Sequence, residues 1–199
     1  MKKIIGLLAV LFTVFAVGCS SAGSQSASKS EPAKAAPAAS AAKQGEVAVV
    51  YYSATGNTRK LATTAAKALK ADLIEIKPAQ PYTDADLDYN NPESRVSKEH
   101  KDGKVRPAVA NQADLSKYKA VVVAYPIWWG EAPSVVYTFV ENAKLSGKNV
   151  GAICTAYSSQ IGDSGENVAK AAGAKYVGGQ RFSPNASEAE IQKFFSGKL

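Results

Sequence analysis

From residue 46 onward, the order of apolar and polar residues predicts strands and helices in turn. Continuous apolar runs rich in β-branched and aromatic residues are typical of strands that a parallel sheet buries on both faces. Such runs predict five strands, at residues 47–52, 73–76, 120–125, 150–154 and 176–182. The runs at 73–76 and 176–182 are less apolar than the other three. Apolar residues at helical spacing predict four helices, at residues 58–69, 133–142, 164–172 and 187–195.

The stretch between the second and third predicted strands interrupts this regular alternation. Residues 81–117 are polar and rich in Asp, Glu and Lys. A helix within 87–101 would complete the unit, but Asn91-Pro92 disfavours a long one because a residue that precedes proline avoids the α-helical region. We therefore expect a short helix inside a long excursion. His100, the only histidine of the chain, is expected to be a solvated surface side chain rather than a metal ligand.

Strands and helices in strict alternation predict an α/β fold, a doubly wound parallel sheet with helices on both faces. Residues 46–199 suffice for one such domain, because a domain of about 150 residues buries roughly 70% of the surface that its unfolded chain exposes. Cys19 and Cys154 lie in different parts of the chain, so an internal disulfide is not expected. Cys154 ends an apolar run, which favours a buried small hydrophobe over a redox thiol.

The first 18 residues have the features of a secretory signal. Lys2 and Lys3 precede an apolar run at 4–17, which as a helix would span roughly 21 Å, too short for a hydrocarbon core of about 30 Å. Ala16-Val17-Gly18-Cys19 then resembles a bacterial lipobox, in which the cysteine is acylated and becomes the new N-terminus. We expect residues 1–18 to be a lipoprotein signal peptide and Cys19 to carry the lipid. An ordinary signal peptide cleaved elsewhere is the alternative.

Residues 19–45 are predicted to be a disordered tether, since Ser, Ala, Lys and Pro dominate and bulky apolar residues are few. The domain at 46–199 is then expected outside the cytoplasm, on the outer face of the cytoplasmic membrane or on an outer membrane. Of the formal net charge of +7, five lysines and one glutamate before residue 46 contribute +4, which leaves +3 for the domain. Such a mixed surface without an arginine-rich stripe argues against a nucleic-acid partner.

The strongest chemical signal is the loop between the first predicted strand and helix, whose residues are Ser53, Ala54, Thr55, Gly56, Asn57 and Thr58. Ligands of open parallel sheets bind beyond the carboxyl ends of the strands. Three hydroxyls, a tight turn and the free N–H groups of a helix start can hold a phosphate there without a lysine. A polar turn with Asn57 or Thr58 as the helix N-cap is the alternative. The loop lacks the glycine pattern of a dinucleotide fingerprint and the Gly-Lys-Ser/Thr of a P-loop.

Two further loops follow strands at the same predicted edge. After the third strand come Pro126, Ile127, Trp128, Trp129, Gly130 and Glu131. At most one of two adjacent tryptophans points into the core, so the other needs a flat partner, and offset aromatic stacking adds roughly 0.5–1.5 kcal/mol. One tryptophan packed beneath the loop and one partly exposed is the alternative. After the fourth strand, a polar segment with Tyr157 and Ser158 adds hydrogen-bonding groups.

These motifs resemble those of the flavodoxin superfamily, in particular a bacterial flavodoxin-like branch. The matching segments are Tyr51–Thr58 (Y-x-S-x-T-G-N-T), Tyr125–Gly130 (Y-P-I-W-W-G) and Ile161–Ser164 (I-G-D-S). The resemblance spans residues 47–195 and implies a five-stranded sheet of order 2-1-3-4-5, the short-chain form, non-covalently bound flavin mononucleotide (FMN), and a redox function.

The hypothesis of a bound FMN assigns roles to individual residues. Backbone N–H groups of 54–58 and the hydroxyls of Ser53, Thr55 and Thr58 would hold the FMN phosphate. Trp128 or Trp129 would stack on the ring, and the ring would be bordered by Pro126, Ile127, Gly130, Tyr157 and Ser158. One hypothesis places Glu131 near the pyrimidine edge, where its charge would lower a reduction potential of the cofactor.

We therefore expect a redox flavoprotein at the outer side of the membrane, whose polypeptide need supply no catalytic acid, base or metal. A passive electron carrier and an enzyme that reduces a quinone or another small acceptor both remain open, as does the identity of the redox partner. The alternative is a non-redox binding module on a flavodoxin-like scaffold that has lost FMN. A serine hydrolase is disfavoured, because the one histidine is far from any serine-centred elbow.

Overall fold

The structure is a computed structural model and describes residues 45–199. These residues form five strands and five helices in alternation. The strands are β1 (Val47–Tyr51), β2 (Asp72–Glu75), β3 (Ala120–Pro126), β4 (Asn149–Thr155) and β5 (Lys175–Arg181). The helices are α1 (Asn57–Leu69), α2 (Arg95–Asp102), α3 (Ser134–Glu141), α4 (Ser164–Ala171) and α5 (Glu188–Phe195). All five predicted strands and the four helices predicted from spacing are confirmed, each within one residue at either end.

The strands form one parallel sheet in the order β2-β1-β3-β4-β5, which confirms the predicted topology. The chain moves outward from β1 to β2 and then crosses back to β3 on the other side of β1. The carboxyl ends of β1 and β3 therefore flank a topological switch point, where open parallel sheets bind their ligands.

The central strand β3 shows why its sequence is apolar throughout. Val121, Val123 and Tyr125 lie in a core with α3 and α4, whereas Val122 and Ala124 lie in a second core with α1 and α5. Successive side chains of a strand point to opposite faces. A strand covered on both sides must then be apolar at every position.

The excursion between β2 and β3 contains the expected short helix, α2. The Ser94 side chain caps its start by accepting the Ser97 N–H, and Gly103 ends it in a left-handed conformation. The two ends of the excursion are joined by an isolated bridge between Pro78 and Val109. The chain segments that enter and leave the excursion therefore lie side by side.

Cys154 is fully buried, and burial raises the pKa of its thiol to about 12. This confirms the interpretation as a small core residue. None of the helices within residues 45–199 is long and apolar enough to cross a bilayer. The predicted signal peptide, the lipid site at Cys19 and nearly all of the predicted tether lie outside the described residues.

Matched leucine truncations test the two-sided core. Leu61 on α1 is 0% exposed, whereas Leu73 on the edge strand β2 is 40% exposed. We expect Leu61→Ala to lower the free energy of unfolding by about 2–5 kcal/mol, because a buried cavity remains, and Leu73→Ala to lower it by less than about 1 kcal/mol. Urea unfolding followed by circular dichroism measures both. Equal losses in the two variants would contradict the burial of Leu61 and the exposure of Leu73.

Candidate functional site

Three loops meet at the carboxyl edge of the sheet: the first loop (residues 53–56), the second (127–133) and the third (156–163). The registers place Tyr51 beside Ala124 and Pro126 beside Thr155, so the three strands end side by side. The Ile127 N–H also donates to the Thr155 carbonyl at 2.9 Å, which joins the second loop to the third. The loops that the sequence singled out are therefore neighbours.

The first loop leaves the start of helix α1 open. Gly56 is the N-cap, with a φ of 89°, and its N–H donates to Ser53 Oγ at 3.1 Å. Within residues 45–199 no side chain caps this helix. The alternative with Asn57 or Thr58 as the N-cap is therefore wrong. The backbone N–H groups at the first turn of a helix lack intrahelical partners and carry a partial positive charge, which favours an anion.

A buried pair of hydroxyls links the first loop to the third. Thr58 is 1% exposed, and its Oγ1 lies 2.7 Å from Thr155 Oγ1. Each hydroxyl is both a donor and an acceptor, so one of the two protons remains available for another acceptor. Thr155 is the first residue of the polar segment that the sequence indicated after the fourth strand, but it was not among the predicted cofactor-binding residues. Its position at the carboxyl end of β4, beside the strand that leads into the tryptophan-bearing loop, indicated that it would lie at the site.

Two cavities that share Thr55 and Ile127 form a cleft across this edge. One has a volume of about 410 Å³ and is lined by Ala54, Thr55, Leu87, Tyr89, Val96, Ile127, Trp128 and Trp129. The other has a volume of about 380 Å³ and is lined by Thr55, Asn57, Pro126, Ile127, Thr155, Ala156, Tyr157 and Pro184. Both fall in the range of small-molecule sites. The sequence did not predict that the excursion would line the first of these cavities with Leu87, Tyr89 and Val96.

The two tryptophans have different surroundings. Trp128 is partly buried and meets Tyr52 and Tyr82 edge-on, each with a ring-centroid distance of 5.8 Å. Trp129 is 43% exposed, and the imidazole of His100 stacks on it with centroids 4.7 Å apart and planes 11° apart. His100 is exposed, as expected, but its stacking on an indole was not predicted.

Tyr157 and Ser158 of the third loop are both exposed. The Tyr157 phenol is fully exposed at the cleft, while its carbonyl accepts a hydrogen bond from Arg181 at 3.3 Å. Ser158 and Gly130 lie at the same edge but line neither of the two cavities. Among residues 45–199, no group of His, Cys, Asp and Glu side chains is arranged to hold a metal ion.

Residues 128–131 form a tight turn, which we call the tryptophan turn. The Trp128 and Glu131 backbones exchange hydrogen bonds of 2.9 and 3.0 Å. Trp129 and Gly130 both have positive φ, at 48° and 83°, the pattern of a type I′ hairpin turn. The Glu131 carboxylate accepts from the Tyr137 hydroxyl at 2.9 Å and from the Asn167 side chain at 3.0 Å. The turn is therefore joined to α3 and α4.

The chain is similar to one protein family and to several solved structures. The family model described as Flavodoxin matches residues 46–197. A Bacteroides eggerthii protein assigned as a flavoprotein is 38% identical, with a TM-score of 0.70, over 76% of this chain and 96% of that chain. One from Bacteroides uniformis is 34% identical, with a TM-score of 0.71, over 77% and 99%.

A more distant likeness concerns the fold alone. The Lactobacillus acidophilus flavoprotein, solved in complex with FMN, is 21% identical, with a TM-score of 0.57, over 74% of this chain and 96% of that chain. No curated protein matches the sequence.

The hydroxyl pair can be tested by a double-mutant cycle. Thr155→Val should lower the free energy of unfolding by about 1–3 kcal/mol, because it leaves the buried Thr58 hydroxyl without its partner. The double variant Thr58→Val/Thr155→Val should lie closer to the wild type than the sum of the single losses. Urea unfolding of all four proteins gives the coupling energy. Additive losses would show that the two hydroxyls do not interact.

Proposed function

Since this chain belongs to the flavodoxin family, whose model matches residues 46–197, we propose that it is a redox flavoprotein with FMN as its cofactor. Bound FMN supplies one- and two-electron chemistry, and the protein holds it and tunes its potential. The observation that carries the proposal is the uncapped start of α1, which opens on a cleft with exposed aromatic side chains.

The residues present fit the phosphate of such a cofactor. A Cβ built on Gly56 meets no atom of the described residues within 4 Å, so the turn borders open space. The N–H groups at the first turn of α1 and the Thr55 hydroxyl would hold the phosphate. The Thr58–Thr155 pair has one O–H that could donate a further hydrogen bond to it. The Ser53 hydroxyl accepts the Gly56 N–H, which shapes the loop, and its own proton remains available to donate to the phosphate.

The aromatic side chains fit a flat ring system. Tyr157 is fully exposed at the edge of the cleft, and Trp129 is 43% exposed on its other wall. Trp128 is partly buried and held edge-on between two tyrosines. This difference favours Trp129 and Tyr157 as the side chains that flank the ring. Offset stacking on each would contribute roughly 0.5–1.5 kcal/mol beyond the area that it buries.

We extend the proposal to the location of the domain. The segment Ala16–Cys19 after the apolar run 4–17 supports a lipid anchor at Cys19. Two acyl chains on one residue hold a soluble domain on a membrane where one gives only reversible binding. About 25 tether residues would reach roughly 25–30 Å as a coil. This short reach favours a quinone or a membrane protein as the redox partner, with the domain acting as a carrier or as a reductase.

Comparing FMN with riboflavin tests the cofactor and its phosphate site. The purified full chain should bind one FMN and quench its fluorescence. Thr55→Ala should weaken FMN binding about tenfold, because a bond to a charged group is lost, and riboflavin binding less than about twofold. Thr64→Ala, further along α1, is the matched control and should change neither. Equal losses for both flavins would place the phosphate elsewhere, and no binding by the wild type would favour a binding module without FMN.

The Cys19→Ala variant tests the anchor. The wild type should carry a lipid mass at Cys19 and fractionate with membranes. The variant should lose that mass and move to the exported soluble fraction, because the acyl chains provide nearly all of the membrane affinity. Mass spectrometry of the mature N-terminus and fractionation check both. Identical partitioning of the two proteins would favour an ordinary secreted flavoprotein.

A further inference from the structure

The tryptophan turn holds Trp129 in a conformation that a bulky residue seldom adopts. Its φ is 48°, in the left-handed region. Such a residue costs of order 1–3 kcal/mol and persists only where its surroundings over-determine it. The two backbone hydrogen bonds between Trp128 and Glu131 close the turn, but a two-residue turn of this type is normally occupied by Asn or Asp and Gly. Further restraints must therefore hold it.

A third cavity, of about 290 Å³, also borders the tryptophan turn and is lined by side chains from α2, α3 and α4. Five of its polar side chains, those of Glu99, Arg106, Glu131, Tyr137 and Asn167, are hydrogen-bonded or ion-paired to other groups of the domain. Glu99 pairs with Arg95 and Tyr82, Arg106 pairs with Glu141, and Glu131 accepts from Tyr137 and Asn167. Among the described residues, no buried side-chain polar atom lacks a hydrogen-bond partner. These contacts stabilise the walls of the cavity.

Glu131 is the one of these groups that belongs to the tryptophan turn. Each of its two carboxylate oxygens accepts from a different helix, Oε2 from Tyr137 on α3 and Oε1 from Asn167 on α4. Burial and the Glu131 carboxylate raise the pKa of the Tyr137 hydroxyl far above its usual range, so this group stays a proton donor. Hydrogen bonds to a charged acceptor are stronger than neutral ones.

We propose that Glu131 is a positioning residue. Its carboxylate fixes the tryptophan turn against α3 and α4 and thereby holds the Trp129 indole in the orientation that stacks on the flavin. The inference rests on the proposed function and deepens it. His100 restrains the same indole by stacking on it from α2. Glu131 thus acts through the geometry of the turn, in contrast to the hypothesis that its charge acts on the cofactor directly.

Variants separate geometry from charge. Glu131→Ala removes both hydrogen bonds and the charge. Tyr137→Phe/Asn167→Ala removes both hydrogen bonds and leaves the charge. Glu131→Gln removes the charge but keeps an acceptor for one of the two donors. Glu141→Gln is the control, since Glu141 lies on the same helix as Tyr137 but is paired with Arg106 and not with the tryptophan turn.

The readouts are the FMN dissociation constant, the midpoint potential and the visible circular dichroism of the bound flavin in the full chain. Glu131→Ala and the Tyr137/Asn167 double variant should weaken FMN binding alike, by about tenfold, and shift the potential and the dichroism in the same direction. Glu131→Gln should stay within about threefold of the wild type. Glu141→Gln should match the wild type. Thermal unfolding of each apo-protein confirms that it is folded.

The proposal is overturned if the double variant keeps the wild-type affinity, potential and dichroism while Glu131→Gln changes them as much as Glu131→Ala does. Near-ultraviolet circular dichroism of the apo-proteins tests the turn independently of the cofactor. The tryptophan signal should change in Glu131→Ala and in the double variant but not in Glu141→Gln. If the wild type binds no FMN, the proposed function fails, while this signal still decides whether Glu131 holds the turn. An unchanged tryptophan signal in all variants would overturn the positioning role.

Discussion

The parallel pairing of β1, β3 and β4 is the constraint on which the site depends. The registers Tyr51 to Ala124 and Pro126 to Thr155 bring the three loops to one edge. A shift of one residue would turn every side chain of a strand to the opposite face. Because β3 is buried on both faces, each of its side chains would then enter the wrong core. The packing of the helices thus fixes the positions of the loops.

Contacts between distant parts of the chain then give the loops their shape. Thr58 and Thr155 are 97 residues apart in sequence, yet their hydroxyls form one buried pair. Glu131 similarly joins the second loop to Asn167 on α4. The start of α1 is open because Gly56, and not a side chain, is its N-cap. The proposed cofactor cleft is therefore built from a helix start without a side-chain cap and from aromatic side chains held by tertiary contacts.

The excursion between β2 and β3 shows the limit of local reasoning. Its polar composition and Asn91-Pro92 predicted a short helix, and α2 confirms it. The same residues did not indicate that Leu87 and Tyr89 would line the cleft or that His100 would stack on Trp129. Stacking depends on where the excursion rejoins the domain, and periodicity contains no information about that position.

The sequence by itself determined the strands, the helices, the α/β class and the three loops, because each of these follows from local hydrophobic periodicity and turn chemistry. The strand order followed from the resemblance of the motifs to a known family. Only the tertiary structure decided which hydroxyl meets Thr58, which tryptophan is exposed and where the Glu131 carboxylate binds. These outcomes depend on the distances between side chains far apart in the chain, and the packing of the sheet and helices sets those distances.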